Sequence, residues 1–191
     1  MDDDLTAQVR HACEFLRDPA NAKPAAAFPE GQRDVEQAGL YAWTVDAAGR
    51  AALSTAFDIE LPALIYAGQA GATSSRSGVE RGATLRSRII GNHLRGNIRS
   101  STFRKTLTAV LFEPLDLQLE RPGKLDTLSN AMVSEWMRAH LHIATLACPD
   151  RATLAALEHG VLAALDPPLN LMGMAPTETR KRLKALRKQI S

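Results

Sequence analysis

The sequence predicts an α/β fold: a small three-stranded, mainly antiparallel sheet flanked by helices, with extra helices at the N- and C-terminal ends. Three observations carry it. Two runs rich in β-formers, Gly39 to Val45 and Ala63 to Gly68, are each followed by a polar, glycine-bearing segment. A third run, Leu141 to Ala147, alternates apolar and polar residues. Most of the remaining chain spaces its apolar residues as helices do, giving the order strand, strand, helix, helix, helix, strand, helix, helix inside one N-terminal helix.

At the start, Leu5, Val9, Ala12, Cys13 and Leu16 share helical spacing, and Asp4 can cap the first turn. From Pro19 to Gly31 the Pro, Ala and Gly content reads as a linker. Asp46-Ala47-Ala48-Gly49 reads as a turn closing the first strand, and residues 46–61 as a connection longer than a hairpin needs. The Gly- and Ser-rich stretch Gly71 to Gly78 reads as an exposed loop. Thr84 and Ser101-Thr102 open two helices, the second over Phe103 to Phe112. Two prolines and a glycine make 113–127 a loop, after which Leu128 to Arg138 is helical. Asp150 caps a helix over Arg151 to Leu165, which Pro167-Pro168 ends, and a basic helix spans Glu178 to Ile190. These elements divide into an N-terminal helix and linker (1–37), a main domain (38–172) and a basic C-terminal helix packed on it (173–191).

At 191 residues, 45 % of them hydrophobic, the chain suffices for one well-buried domain. No apolar run approaches the roughly 20 residues of a membrane span, and the acidic start, Asp2-Asp3-Asp4, is unlike a secretory signal, so a cytoplasmic location is expected. Cys13 and Cys148 are too far apart, and too poor in neighbouring ligands, to indicate a disulfide framework or zinc site. The net charge of +2 does not by itself announce a nucleic-acid partner. His140 and His142 fall on one side of the third strand, but no third ligand at metal spacing accompanies them, which favours a structural role.

The chain's two tyrosines, Tyr41 and Tyr66, each lie in a strand beside a glycine, as Gly39-Leu40-Tyr41 and Tyr66-Ala67-Gly68. Alone they are ordinary strand aromatics. They are followed by Leu85-Arg86-Ser87-Arg88 with His93, then by Leu157-Glu158-His159, then by Pro167-Pro168-Leu169-Asn170. This ordered set, from Gly39 to Asn170, resembles the GIY-YIG nuclease superfamily. Leu40 and Ala67 stand where the family has larger or β-branched residues, and Gln69 where several members carry Lys.

The resemblance implies a Mg2+- (or Mn2+-) dependent endonuclease acting on DNA. Tyr41, Tyr66, Arg88, His93 and Glu158 would be its catalytic group, with Glu158 as metal ligand. Gln69, Arg86, Arg95, Arg99, Arg104, Lys105 and Asn170 would contact the nucleic acid. The chemistry suits these groups. A hard ion that keeps most of its waters needs few carboxylates, a guanidinium can donate to two phosphate oxygens at once, and a tyrosine whose pKa is lowered by cations can accept a proton from water.

One spacing carries a structural expectation. In a regular helix Arg88 and His93 lie about 140° apart and cannot both face one phosphate. One extra residue taken up as a π-bulge near Gly91-Asn92 restores the shared face; in a regular helix, Arg86 would be the better partner for His93. The C-terminal helix, with Arg180, Lys181, Arg182, Lys184, Arg187 and Lys188, reads equally as a nucleic-acid surface and as a solvated amphipathic helix. Two further functional classes stay open: a catalytically inactive nucleic-acid-binding module on the same fold, and an interaction protein whose tyrosines are core. A homo-oligomer is also open.

Overall fold

A computed structural model describes residues 3–71 and 82–191. The predicted loop therefore lies mostly outside the described residues. The helix α1 (Asp3–Arg17) is followed by two 3-10 turns, Pro19–Asn21 and Ala25–Ala27, that flank a two-residue strand β1 (Lys23–Pro24). The long strands are β2 (Gly39–Val45), β3 (Leu64–Ala70) and β6 (Leu141–Ala147). Together with β1 they form a four-stranded antiparallel sheet ordered β1-β6-β2-β3. The stretch read as a linker thus supplies an edge strand, Lys23 pairing with Ile143.

Residues 46–61, expected to be an irregular connection, contain the helix α2 (Ala47–Phe57). Asp46 caps it by accepting from the Gly49 N–H at 2.6 Å, and Leu53 and Phe57 bury its inner face. Gly49 is what disguised it. A Cβ there would come within 2.7 Å of both His140 Cβ and Val45 Cγ2, so the glycine permits close packing and does not mark a turn. Residues 113–127 likewise hold a small hairpin, β4 (Leu119–Arg121) and β5 (Lys124–Leu125), where a loop was expected. The remaining helices are α3 (Thr102–Leu111), α4 (Thr127–His140), α5 (Leu154–Leu165) and α6 (Glu178–Gln189). No helix among the described residues is long and apolar enough to cross a membrane.

Strand alternation sorts the core into two layers. Leu40 and Ala42 face α1 and α5, joined there by Ala67, Ala144 and Leu157. Tyr41, Trp43 and Val45 face the other way, into a larger core with Tyr66, Ile89, Phe103 and Leu107. The tyrosines thus open onto the side covered by α3 and the segment before it.

Arg104, expected to contact nucleic acid, is fully buried in that larger layer. Its guanidinium donates to His93 O at 3.0 Å, to Asn130 Oδ1 and Ser134 Oγ at 2.9 Å each, and to Asn130 O. Burial, and secondarily Arg138, pushes its pKa down to about 10. Arg104 is a strut between α3, α4 and the His93 segment, beyond reach of a phosphate. Arg104→Ala leaves several buried acceptors unpaired and is expected to cost on the order of 3 kcal/mol. Urea unfolding should show that loss, against less than about 0.5 kcal/mol for the exposed Arg95→Ala; similar midpoints for the two would refute the strut.

Candidate active site

The segment Ser87–Leu94 is a π-helix. It begins with an α-type bond, Arg88 N to Thr84 O at 2.9 Å, and ends with a π-type bond, Arg95 N to Ile90 O at 2.9 Å. The widening spans eight residues, more than the single bulge expected near Gly91. Its i→i+5 winding stacks Arg88 and His93, and both reach Tyr41. The Tyr41 hydroxyl lies 2.8 Å from His93 Nε2 and also accepts a hydrogen bond from Arg88.

Glycines make room for this contact. In the antiparallel register Gly68 pairs with Tyr41, and a Cβ on Gly68 would sit 2.8 Å from the Tyr41 oxygen. A Cβ on Gly39 would meet Leu146 O at 2.3 Å. Each glycine of the two tripeptides is therefore demanded by close approach.

His93 is fully buried among rings. Its centroid is 5.3 Å from Tyr41, 6.0 Å from Trp43, 6.5 Å from Tyr66 and 5.7 Å from Phe103, while Tyr66 and Phe103 lie 4.5 Å apart. His93 Nδ1 is 2.6 Å from Ser101 Oγ, which also accepts from the Arg104 N–H as the cap of α3. Ser101, read from sequence only as a helix start, is thus 1 % exposed and orients the histidine. Its capping position was legible; its imidazole partner was not.

Burial first, and then Arg88 and Arg104, hold the His93 pKa well below 6.5, so the ring is neutral. Burial raises the Tyr41 phenol, opposed by the charge and hydrogen bond of Arg88. Burial likewise raises the Tyr66 phenol strongly. Arg88 remains a firm cation, its pKa raised by Tyr41, Tyr66 and Glu158 against desolvation, and its buried Nε has no hydrogen-bond partner.

Glu158 and Asn170 approach along the free edge of β3. The Asn170 side chain accepts from Ala67 N at 3.0 Å and donates to Ala67 O at 2.8 Å, and Leu169 N donates to Ile65 O at 3.0 Å. Asn170 is buried and satisfied by the strand, which corrects its assignment as a nucleic-acid contact. Two residues further along the same edge, the Gln69 N–H donates to the Glu158 carboxylate. Burial raises the Glu158 pKa, opposed by Arg88 and by this hydrogen bond. A half-buried carboxylate with one neighbouring guanidinium fits a divalent ion that keeps most of its waters. No group of three or more His, Cys, Asp or Glu that could hold a metal occurs among the described residues.

The peripheral expectations divide. Arg86 is exposed and pairs with Glu36 at 2.8 Å. Arg95 is exposed, Arg99 Nε donates to Gly123 O at 3.2 Å, and Lys105 is half-buried. Arg180 is buried within the fold, and the exposed Arg182 is bonded to the main chain. Arg180, 2 % exposed, donates to Asn170 O at 2.9 Å and to Asp166 Oδ1 at 2.7 Å, and Arg182 donates to Phe57 O. His140 ends α4 and does not sit in the strand; its Nδ1 lies 3.2 Å from both Asp46 oxygens.

Residues 39–189 match the family model described as the GIY-YIG catalytic domain, and the chain belongs to that family. The family is of nuclease type, and its members generally use divalent metal ions. Neither the curated proteins nor the solved structures include a match to this chain.

The neutral His93 has a measurable consequence. Its folded pKa is depressed, so its contribution to stability is present above the unfolded value of about 6.5 and is lost as pH falls below it. Stability from urea unfolding should decline below pH about 6.5 by up to about 1.4 kcal/mol per pH unit, and His93→Gln should flatten that decline. An unchanged slope in the variant would mean that other groups titrate there.

Proposed function

We propose that this protein is a magnesium-dependent endonuclease that hydrolyses phosphodiester bonds in DNA with a single metal ion. The observation that carries the reading is the meeting at one hydroxyl of Tyr41 from β2 with Arg88 and His93 from the π-helix, Glu158 lying within electrostatic reach of Arg88.

Arg88 binds two oxygens of the scissile phosphate through its planar guanidinium, which can donate to both at once. With His93 Nδ1–H donating to Ser101, Nε2 is left as an acceptor facing the Tyr41 O–H. Tyr41 takes a proton from the attacking water while passing its own to His93 Nε2. The water oxygen bonds to phosphorus as the bond to the 3′-oxygen breaks. The entering phosphate supports this step: its negative charge opposes the Arg88 and Arg104 fields that depress His93, and so raises the basicity of the acceptor. Tyr66 shapes the wall beside the scissile group, and Glu158 with its waters would hold the ion. Bound there, Mg2+ would offset charge growing on the phosphate and assist departure of the 3′-oxygen. Gln69, Arg86, Arg95, Arg99 and Lys105 would line the path of the DNA.

Nicking of supercoiled plasmid with magnesium tests the reading. Glu158→Ala and Tyr41→Phe should each lower the rate by about 100-fold or more, and a chelator should abolish it. Retained activity in Glu158→Ala would refute the metal assignment. A catalytically inactive DNA-binding module, which the strongly buried Tyr41 favours, is indicated instead if plasmid, short duplex, branched and single-stranded DNA all remain uncut. Gly68→Ala offers a finer test. Its methyl displaces the Tyr41 oxygen, so nicking should fall at least about tenfold with the protein still folded by circular dichroism, and wild-type activity would show that the oxygen's position is immaterial.

A further inference from the structure

Beside the cluster, α3, α6 and the β4–β5 hairpin enclose a groove made of two adjoining cavities of about 530 and 420 Å³. Lys105 and Arg187 line both; Arg99 joins them at the hairpin end, and Lys184 and Lys188 at the other. Among the described residues no carboxylate forms an ion pair with any of these five cations, although the main chain of Ser191 lies along the same groove.

The basic character of α6 is therefore divided by role. Arg180 and Arg182 bind backbone carbonyls of the fold, and Lys181 pairs with Glu178 at 2.6 Å, whereas Lys184, Arg187 and Lys188 fall at helical i, i+3 and i+4 on the groove side. Like charges at that spacing repel. Lys105 faces them from α3, and its pKa is lowered by burial and by Arg187. Such crowding costs stability in the free protein and is relieved by an anion.

The groove also lies near the cluster, since Arg187, which lines it, is within electrostatic reach of Tyr66. Its far wall, Leu171 and the largely exposed Met172, is apolar and suits a sugar or base face.

We propose that this groove binds the backbone of the DNA strand that is cut at Tyr41 and Arg88, gripping its phosphates on the flank beyond Tyr66; this rests on the nuclease reading for the identity of the strand. Sequence alone left the basic α6 undecided between a binding surface and a solvated face, and the convergence of one of its faces with Lys105 favours the former.

The test is fluorescence anisotropy of a labelled short DNA duplex against salt concentration, with chelator present so that nothing is cut. Lys105→Gln/Arg187→Gln should weaken binding by at least about tenfold at low salt and reduce the slope of log K against log salt by about 1 for each cation removed. The control Lys181→Gln, which removes a charge from the other face of α6, should leave both nearly unchanged. Lys184→Gln/Lys188→Gln, at exposed positions, provides a second groove variant should the first not fold. Wild-type affinity and slope in the groove variants, or equal weakening by Lys181→Gln, would overturn the proposal. Nicking by the same proteins separates the two readings. Wild-type protein that binds through the groove yet never cuts keeps the groove and sinks the nuclease. Wild-type protein that cuts, with groove variants that bind and cut equally well, does the reverse.

Discussion

Winding Ser87–Leu94 with bonds to the fifth residue stacks Arg88 over His93, and on that stacking depends the convergence of both on the Tyr41 hydroxyl. A π-helix is intrinsically poorer than an α-helix and persists only where its surroundings hold it. Here Arg104 binds His93 O from below, Ser101 fixes His93 Nδ1, and Asn130 Nδ2 donates to Gly96 O at 3.3 Å just past the helix end. At Gly96 a side chain would strike Asn92 O at 2.1 Å, so the chain can turn out of the π-helix only without one. A buried cation, a serine and a glycine together hold a winding that the eight residues would not keep alone.

The second constraint is the open edge of β3. An unpaired edge exposes backbone donors and acceptors that must be satisfied. Alternate residues Ile65, Ala67 and Gln69 turn theirs outward, and the chain answers with Leu169 N, the Asn170 amide and the Glu158 carboxylate. Glu158 therefore sits beside Arg88 partly because it caps a strand edge. Arg180, bonded to Asn170 O, ties α6 to the same edge, so the groove cations and the cluster share one mechanical frame.

Much of this was legible in sequence where a single periodicity ruled. Strands β2 and β6 are found at their predicted bounds, and the awkward spacing of Arg88 and His93 pointed to a π-type bulge where the structure winds eight residues as a π-helix. What could not be read were roles set by tertiary contact. Arg104 has the same local setting as exposed arginines nearby, and only the Asn130 and Ser134 partners, 26 and 30 residues away, make it internal. Gly49 looked like a turn because glycine's need for close packing against His140 is invisible before the helix is docked. Asn170 looked like a surface amide because its partner, the Ala67 backbone, is 103 residues distant.

The electrostatic state of the cluster follows from these placements. Burial keeps both phenols protonated and His93 neutral, so Arg88 is the firm cation that acts on both tyrosines, and Glu158 is the carboxylate within its reach. A site with a partly desolvated guanidinium, and a carboxylate whose charge burial disfavours, is better matched to a phosphate and a cation together than to either alone. In the proposed reading the anion would satisfy Arg88, the cation would satisfy Glu158, and the two would neutralise each other across the gap. By this logic, occupancy by one should strengthen the other, and in the proposed mechanism the relay from Tyr41 to His93 would run only when both are in place.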